Sequence, residues 1–528
     1  MSNSDFDVIV IGSGIGGLTT ASLLAQLERK RVLVLERHFK LGGFTHTFSR
    51  PGGYVWDVGV HYVGNMAPGD MGRQLFDLVT QGGVTWQRMP SPFEKFVFPD
   101  FTLEVPDDPA AYQQALSARF PAEAPAIARY FKDLEAVSGW LSGYFTDRLA
   151  PAFISAPARL LGWPAEKLAL LTTRAYLDAR FHAPQLKAVL ASQWGDYGLP
   201  PAESAFAAHA MIATHYLYGA YYPVGSAARI AASIAPIIEA AGGRCLVHHE
   251  VRTILVEAGR GVGVRAALRQ GARETEVEFR APLVISDAGA HATFTRLLPE
   301  SVPVPFRRAL EQTRPGHGVV TVYLGLQASP AKLGFRGENH WLYAGYDHDE
   351  LFARRNMLLA GQASGCYLSF PSLKDPAAQA HTAEIIAHLD YAAVAPWQSA
   401  PWRRRGPEYA ALKQTIADTL LAFVEAHYPG FRALVDFVEV STPLTDEHFT
   451  GHAGGAIYGV PARPERYRQA WLRAQTPVKG LYLSGTDAGA LGVMGAMMGG
   501  AAAASQVLGA RGFPEIMAAA RRAPMLVQ

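Results

Sequence analysis

Apolar and polar residues change period sharply along the first forty positions. Val8 to Ile11 is an unbroken, mostly β-branched run, which predicts a buried strand. Leu18, Ala21, Leu24 and Ala25 then recur at helical spacing, and a second apolar run, Val32 to Leu35, ends in Glu36. Strand, helix and strand follow one another too closely for anything but a βαβ start. Near the other end, Leu481 to Ser484 predicts a further strand, followed by a glycine loop and a helix of small residues. That last segment has nearly the ~20 apolar residues a membrane span needs. Its glycines, each costing ~1 kcal/mol in a helix relative to alanine, argue instead for close packing.

Between these ends the pattern is mixed. Residues 110 to 220 are Ala-rich and helical, with turns at Pro125, Pro157, Pro164 and Pro184. Pro223-Val224-Gly225 predicts a turn, Ser226 an N-cap, and the helix that follows should kink at Pro236 and end at Gly242-Gly243. "RCLVHHEVRTILVE" and "VEFRAPLVISDAG" predict strands; in the first, His248 and His249 should point to opposite faces, so no metal motif is read there. "EAGRGVGVRAAL" predicts a hairpin turn rather than a second nucleotide site. Residues 300 to 475 mix strands and helices. The expected fold class is α/β: a Rossmann-like domain from residues 1–70, 225–300 and 475–528, with an inserted mixed α+β substrate or lid domain from 71–224 and 301–474.

The first turn carries chemistry. Gly12-x-Gly14-x-x-Gly17 lies between the strand and the helix. The first glycine permits the tight turn, the second a close backbone approach to a pyrophosphate, and the third close packing of helix on strand. The helix N-terminus offers unpaired N–H groups to phosphates. Glu36, nineteen residues after Gly17, is where an acid accepts hydrogen bonds from a ribose. The competing reading is a glycine turn in an ordinary βαβ unit. Gly42-Gly43 and the C-terminal glycine loop favour the longer FAD over NAD, so the Rossmann-like domain is expected to be FAD-binding, and no second fingerprint marks an NAD(P) domain.

Composition adds limits. The 528 residues are 49% hydrophobic and 18% charged, which suits two or three tightly packed domains. Net charge is +2 (48 minus 46), so no nucleic-acid partner is expected, and Arg403 to Arg405 reads as a solvated face. Two cysteines exclude a disulfide framework and fit a reducing compartment. No signal peptide is read at the start, so the expected location is cytoplasmic, with possible contact at a membrane surface.

The sequence resembles the phytoene desaturase superfamily of flavoproteins, in its retinol saturase and carotenoid isomerase branch. The blocks that carry the resemblance are "VIGSGIGGLTTASLL", "VLVLERHFKLGGFTHTF", "DVGVHYVG", "HYLYGAYYPVGSAARIAASIAPIIEAAGG", "STPLTDEHFTGHAGGAIYG" and "GLYLSGTDAGALGVMGAMMGG". The resemblance implies a non-covalent FAD. Gly12, Ser13, Gly14, Gly16 and Gly17 would hold its pyrophosphate, Glu36 with neighbouring Arg37 its adenosine ribose, and Gly42-Gly43 the flavin side. Val251 would meet the adenine by its backbone, and Gly485 and Asp487 the ribityl and phosphate region. Val493, Met494 and Gly495, at the start of the glycine helix, would aim N–H groups at the isoalloxazine, whose flat face the small residues would admit. It also implies an oxidoreductase acting on C=C bonds of a lipophilic polyene, most simply by saturation. Desaturation, redox-neutral cis–trans isomerisation and a flavin-containing lipid carrier without turnover stay open, and so does the electron donor or acceptor.

Saturating a double bond needs a proton as well as a hydride. The candidates are His61, His215 and Tyr222, each weighed against an ordinary structural role. The aromatic segment His215 to Tyr222 is expected to wall a lipophilic tunnel. Trp140, Leu141, Phe145, Phe153 and Trp163 form either a patch that dips into lipid or an ordinary helix-packing core.

Overall fold

A computed structural model describes residues 6–149, 163–271 and 273–523. β1 (Val8–Ile11), α1 (Ile15–Glu28) and β2 (Val32–Leu35) form the expected βαβ start. Every residue of β1 and β2 is buried, as parallel strands covered on both faces must be. Five parallel strands form one sheet, in the order Leu481–Leu483, Leu283–Ser286, β1, β2, Arg244–Leu246. Four separate stretches of sequence therefore meet at its carboxyl edge.

On this sheet α1 packs between the Ala228–Ala240 and Gly492–Leu508 helices. The small residues of the latter serve backbone contact. A Cβ on Gly500 would fall on the Gly16 carbonyl, one on Gly499 on the Gly485 carbonyl, and one on Gly495 on Ala490. The expectation that these glycines face a flat cofactor is thus corrected: only Gly492, Val493 and Ala496 of this helix border the main cavity.

Two local expectations change. Ser226 is no cap: it adopts φ +69°, the cap is Ala227, and the Ala227 N–H donates to Asp57 Oδ1 at 2.9 Å. The helix continues through Pro236 to Ala240. "RCLVHHEVRTILVE" is two strands, Arg244–Leu246 and His249–Glu257, because His248 turns the chain with φ +60°. His248 therefore lies outside a strand, and the opposite-face argument does not apply to it. The second of these strands opens a three-stranded antiparallel meander with Arg260–Gln270 and Arg273–Arg280. Its first turn, Ala258-Gly259, has positive φ at both residues, the geometry of a two-residue hairpin.

A seven-stranded sheet follows the order Val435–Ser441, Gly318–Leu326, His381–Leu389, Gly365–Ser369, Asn339–Tyr343, Glu94–Val97, Thr102–Val105. One face packs on the Gly406–His427 helix through Leu342 and Leu368. The other presents Trp341, Tyr343 and Tyr367 toward a helical layer that includes Ala124–Leu149 and Phe206–Tyr216. The Met71–Thr80 helix, on the substrate side of the boundary read from sequence, joins the core of the parallel sheet through Leu75, Phe76 and Val79.

Within the helical layer, Leu141 is buried, and Trp140 and Phe145 are partly buried against its core. Phe153, the Trp163 side chain and Pro157 lie outside the described residues. No helix among the described residues is long and apolar enough to cross a membrane.

Candidate active site

The glycine turn is fixed by backbone geometry. Gly12 adopts φ +93°, a conformation that side chains resist, and its N–H donates to Leu35 O at 2.9 Å. A Cβ on Gly17 would strike the Gly12 carbonyl, which is how α1 comes so close to β1. Glu36, at the end of β2, is buried. It accepts from Ser13 N at 2.9 Å, Ser13 Oγ at 2.7 Å and His38 N at 2.7 Å. A carboxylate offers about four acceptor positions, so roughly one remains for a ribose hydroxyl. Gly42 N donates to both Ser13 O and Ser13 Oγ at 3.1 Å, tying the second glycine pair to the first turn.

A cavity of about 600 Å³ begins at this turn. One end is bordered by Glu36, Arg37 and Val251, with Arg37 Nη2 3.5 Å from Glu250. Its middle is bordered by Gly12, Ser13, Gly14, Gly16, Gly43 and Gly485. The far end is bordered by Trp194, Trp341, Tyr343, Phe352 and Tyr367. His388 stacks on Trp194 there, with ring centroids 4.6 Å apart. Burial lowers its pKa to about 3, so this ring is neutral at neutral pH; the ionisable neighbours of the wall include Asp196 and Arg355, whose guanidinium lies 4.1 Å from the Phe352 ring centroid.

Asp287, which sequence reading passed over, hangs into the middle of the cavity. It follows the Leu283–Ser286 strand, and its carboxylate lies where a Cβ on Gly14, Gly16 or Gly485 would fall. Burial raises its pKa to about 7, with help from the Glu36 and Asp487 charges, against a hydrogen bond from the Gly17 N–H. The signal in the sequence was its place after a strand-like run, since ligands of open α/β sheets bind beyond the carboxyl ends of the strands.

Not all the expected residues reach the cavity. Asp487 spends its carboxylate on Ala290 N at 2.7 Å and Val460 N at 2.8 Å. Met494 packs toward Gly72, and Gly17, Gly42 and Gly495 shape the backbone behind the lining. Among the proton candidates, His61 borders the cavity, its Nδ1 2.9 Å from Glu384 Oε2. His215 lies outside the lining, where its Nε2 accepts from Gly64 N at 2.9 Å. Burial lowers its pKa to about 4. Tyr222 is buried with its hydroxyl on Asp57 Oδ2. The His215 to Tyr222 segment therefore supplies no tunnel wall; Tyr216 and Tyr222 are core and Tyr218 is exposed. The aromatic wall comes instead from strands and turns far along the chain.

The fit to a dinucleotide rests on Gly12, Gly14, Gly16 and Gly485, which border the cavity together with the Glu36 carboxylate and leave no room for a Cβ at Gly14, Gly16 or Gly485 beside Asp287. Known proteins agree. Residues 10–81 match the NAD(P)-binding Rossmann-like domain. The chain is 32% identical over 526 residues to the all-trans-retinol 13,14-reductase of Rattus norvegicus, covering 95% of this chain and 85% of that protein. It is 31% identical over 533 residues to an inactive all-trans-retinol 13,14-reductase of Danio rerio, covering 96% and 86%. The chloroplastic prolycopene isomerase of Arabidopsis thaliana is 25% identical over 504 residues, with 91% and 78% covered. A putrescine oxidase structure superposes with a TM-score of 0.63 at 16% identity, covering 95% of this chain and 99% of that one, and so shares the fold. The chain belongs to the all-trans-retinol 13,14-reductase family, the retinol saturase branch of the phytoene desaturase superfamily of oxidoreductases.

Proposed function

We propose that this protein binds FAD and reduces a C=C bond of a lipophilic polyene. The observation that carries the reading is one cavity that reaches from a nucleotide-type glycine cradle to a largely aromatic wall. Gly12, Ser13, Gly14 and Gly16 would hold the pyrophosphate, Glu36 the ribose, and Val251 the adenine. Gly43, Gly485 and Val493 would border the flavin end. Gly17, Gly42, Asp487, Met494 and Gly495 would act from behind by holding these in place, and Arg37 by its charge near Glu250. A bound reduced flavin supplies hydride to the polyene. The chain binds and orients the polyene on its aromatic wall, keeps water from it, and provides a proton. His61 borders the cavity and would contact the polyene. A substrate of this kind partitions into lipid, so peripheral contact with a bilayer is the expected delivery route.

Redox-neutral isomerisation is a second reading, favoured by the likeness to a prolycopene isomerase. The test is acid release and identification of the flavin, followed by anaerobic incubation of the reduced protein with retinol and with a linear carotene. A product heavier by two hydrogens supports reduction; unchanged mass with altered geometry supports isomerisation. Neither product, with a bound flavin, leaves a carrier.

A further inference from the structure

Beyond the aromatic wall lies a cluster of acids that the site as described does not use. The Tyr62 hydroxyl stands 2.5 Å from Asp196 Oδ2 and 2.6 Å from Glu94 Oε1. Its ring stacks on Tyr216, centroids 4.3 Å apart, so the hydroxyl is held between the two carboxyls. A phenol has one hydrogen to donate. Two short contacts to two ionised carboxylates would leave one oxygen pair facing with no proton between them. One of the two carboxyls must therefore carry a proton and donate it to the Tyr62 oxygen.

The other contacts decide which. Glu94 is fully buried and also accepts from Trp341 Nε1 at 3.0 Å and Gln193 Nε2 at 2.7 Å. Three donors stabilise its charged form. Asp196 has Tyr62 as its side-chain hydrogen-bond partner among the described residues. The charge balance points the same way. Glu94, Asp196, Glu384 and Asp57 all face the buried Lys374 ammonium, which is committed to His61 O, Asn339 Oδ1 and Ser369 Oγ. Lys374, even with the His61 imidazole 2.9 Å from Glu384, cannot neutralise four buried carboxylates, so protons must make up the difference. Burial and the Glu94 charge push Asp196 well above the usual carboxylate range. Glu94 rises only to about 7, because burial is opposed by its donors. Asp196, but not Glu94, borders the cavity.

We propose that Asp196 is the catalytic acid that protonates the polyene, with Tyr62 and Glu94 as positioning residues that keep it protonated. This rests on the reductase reading given above. Saturation adds a hydride, with its electron pair, to one alkene carbon; a reduced flavin is the reductant. The π pair then forms the second C–H bond with the proton leaving Asp196, whose O–H bond breaks to give a carboxylate. The Tyr62 hydrogen turns from Glu94 to that carboxylate, and one proton from solvent restores the pair.

Asp196→Asn keeps the shape and removes the acid. Flavin content and reoxidation of the reduced flavin by oxygen should stay at the wild-type level, while polyene reduction falls by ~10²–10⁴-fold. Infrared difference spectra of wild type minus Asp196→Asn at neutral pH should contain a protonated-carboxyl band that shifts in heavy water. Absence of that band, or reduction at the wild-type rate, overturns the proposal. Tyr62→Phe leaves the cavity wall intact and should move the alkaline limb of the polyene-reduction pH profile; an unmoved limb overturns the positioning role even if Asp196→Asn fails to fold. A wild-type protein that carries the infrared band but reduces no polyene strikes the reductase reading instead, so the two failures are distinguishable.

Discussion

Asp287→Asn should free flavin binding from pH. The Asp287 carboxyl sits in the cradle that a pyrophosphate would enter, beside Glu36 and Asp487 and on the Gly17 N–H. Its pKa is raised from 3.8 to about 7. A raised acid holds its proton more tightly folded than unfolded. Its contribution is therefore neutral below the unfolded value, and stability is lost as pH climbs from ~4 to ~7, then no further. At ~1.4 kcal/mol per pH unit the ceiling is about 4 kcal/mol. An anionic pyrophosphate adds like charge, so the protonated form should be the one that accepts it. Above pH 7 the apparent Kd of the wild type should then rise roughly tenfold per pH unit, the slope for uptake of one proton. Asn carries no charge, and its Kd should stay flat across the same range. Quenching of flavin fluorescence on titration into apoprotein between pH 6 and 9 measures both. Below pH 6 the two proteins should bind equally; near pH 8.5 the variant should bind tighter by roughly thirty-fold on the same slope. Parallel pH dependences for the two would refute the placement of an ionisable Asp287 in the cradle.

Other expectations follow from the same geometry. His61→Ala should keep its flavin and lose less than ~10-fold in polyene reduction, because a side chain that only contacts substrate gives up less than the ~10²-fold of a general acid; steady-state rates decide, and a loss matching Asp196→Asn would return the proton to His61. Tyr222→Phe should cost about 1–3 kcal/mol in urea unfolding, since it strips a buried carboxylate of a donor, while polyene reduction per folded molecule stays unchanged. Flotation with liposomes should carry part of the protein upward, and Trp140→Ala should leave that fraction unchanged, because Trp140 packs on the core.

What could be read from sequence was local. The β1–turn–α1–β2 unit lies within one short stretch, and its glycines, helix period and terminal acid each have their own requirement. The convergence of Asp287 and Gly485 on that turn is a matter of strand order. Val8 pairs with both Leu283 and Val32, and Leu283–Ser286 pairs in turn with Leu481–Leu483. Nothing in the spacing of residues 11, 287 and 485 announces it. The small-residue helix was legible as tightly packed, but its partner was misjudged, because a run of glycine looks the same against a flavin as against the Gly16 carbonyl. Likewise, Trp341 and Tyr343 alternate with Leu342 as in any strand buried on both faces, and only the sheet order makes one face a cavity wall. Of all the functional features, the acid cluster was the most scattered, at positions 62, 94 and 196, yet it did leave a trace. Glu94 opens the strand-like "EKFV", and Glu384 interrupts "HTAEIIAHL" between Ala383 and Ile385. Glu384, with apolar residues on both sides, has no solvent face to turn to, and Glu94, between Phe93 and Lys95, opens a strand whose Phe96 is buried on the same face. Burying such an acid demands donors, a cation or a proton, and both glutamates are fully buried. A buried acid in a strand-like run is thus a readable sign that a partner or a proton is needed, whereas His215, in a motif block, makes a structural hydrogen bond with Gly64 N; Glu94 stands behind Tyr62 and Asp196, of which Asp196 borders the cavity.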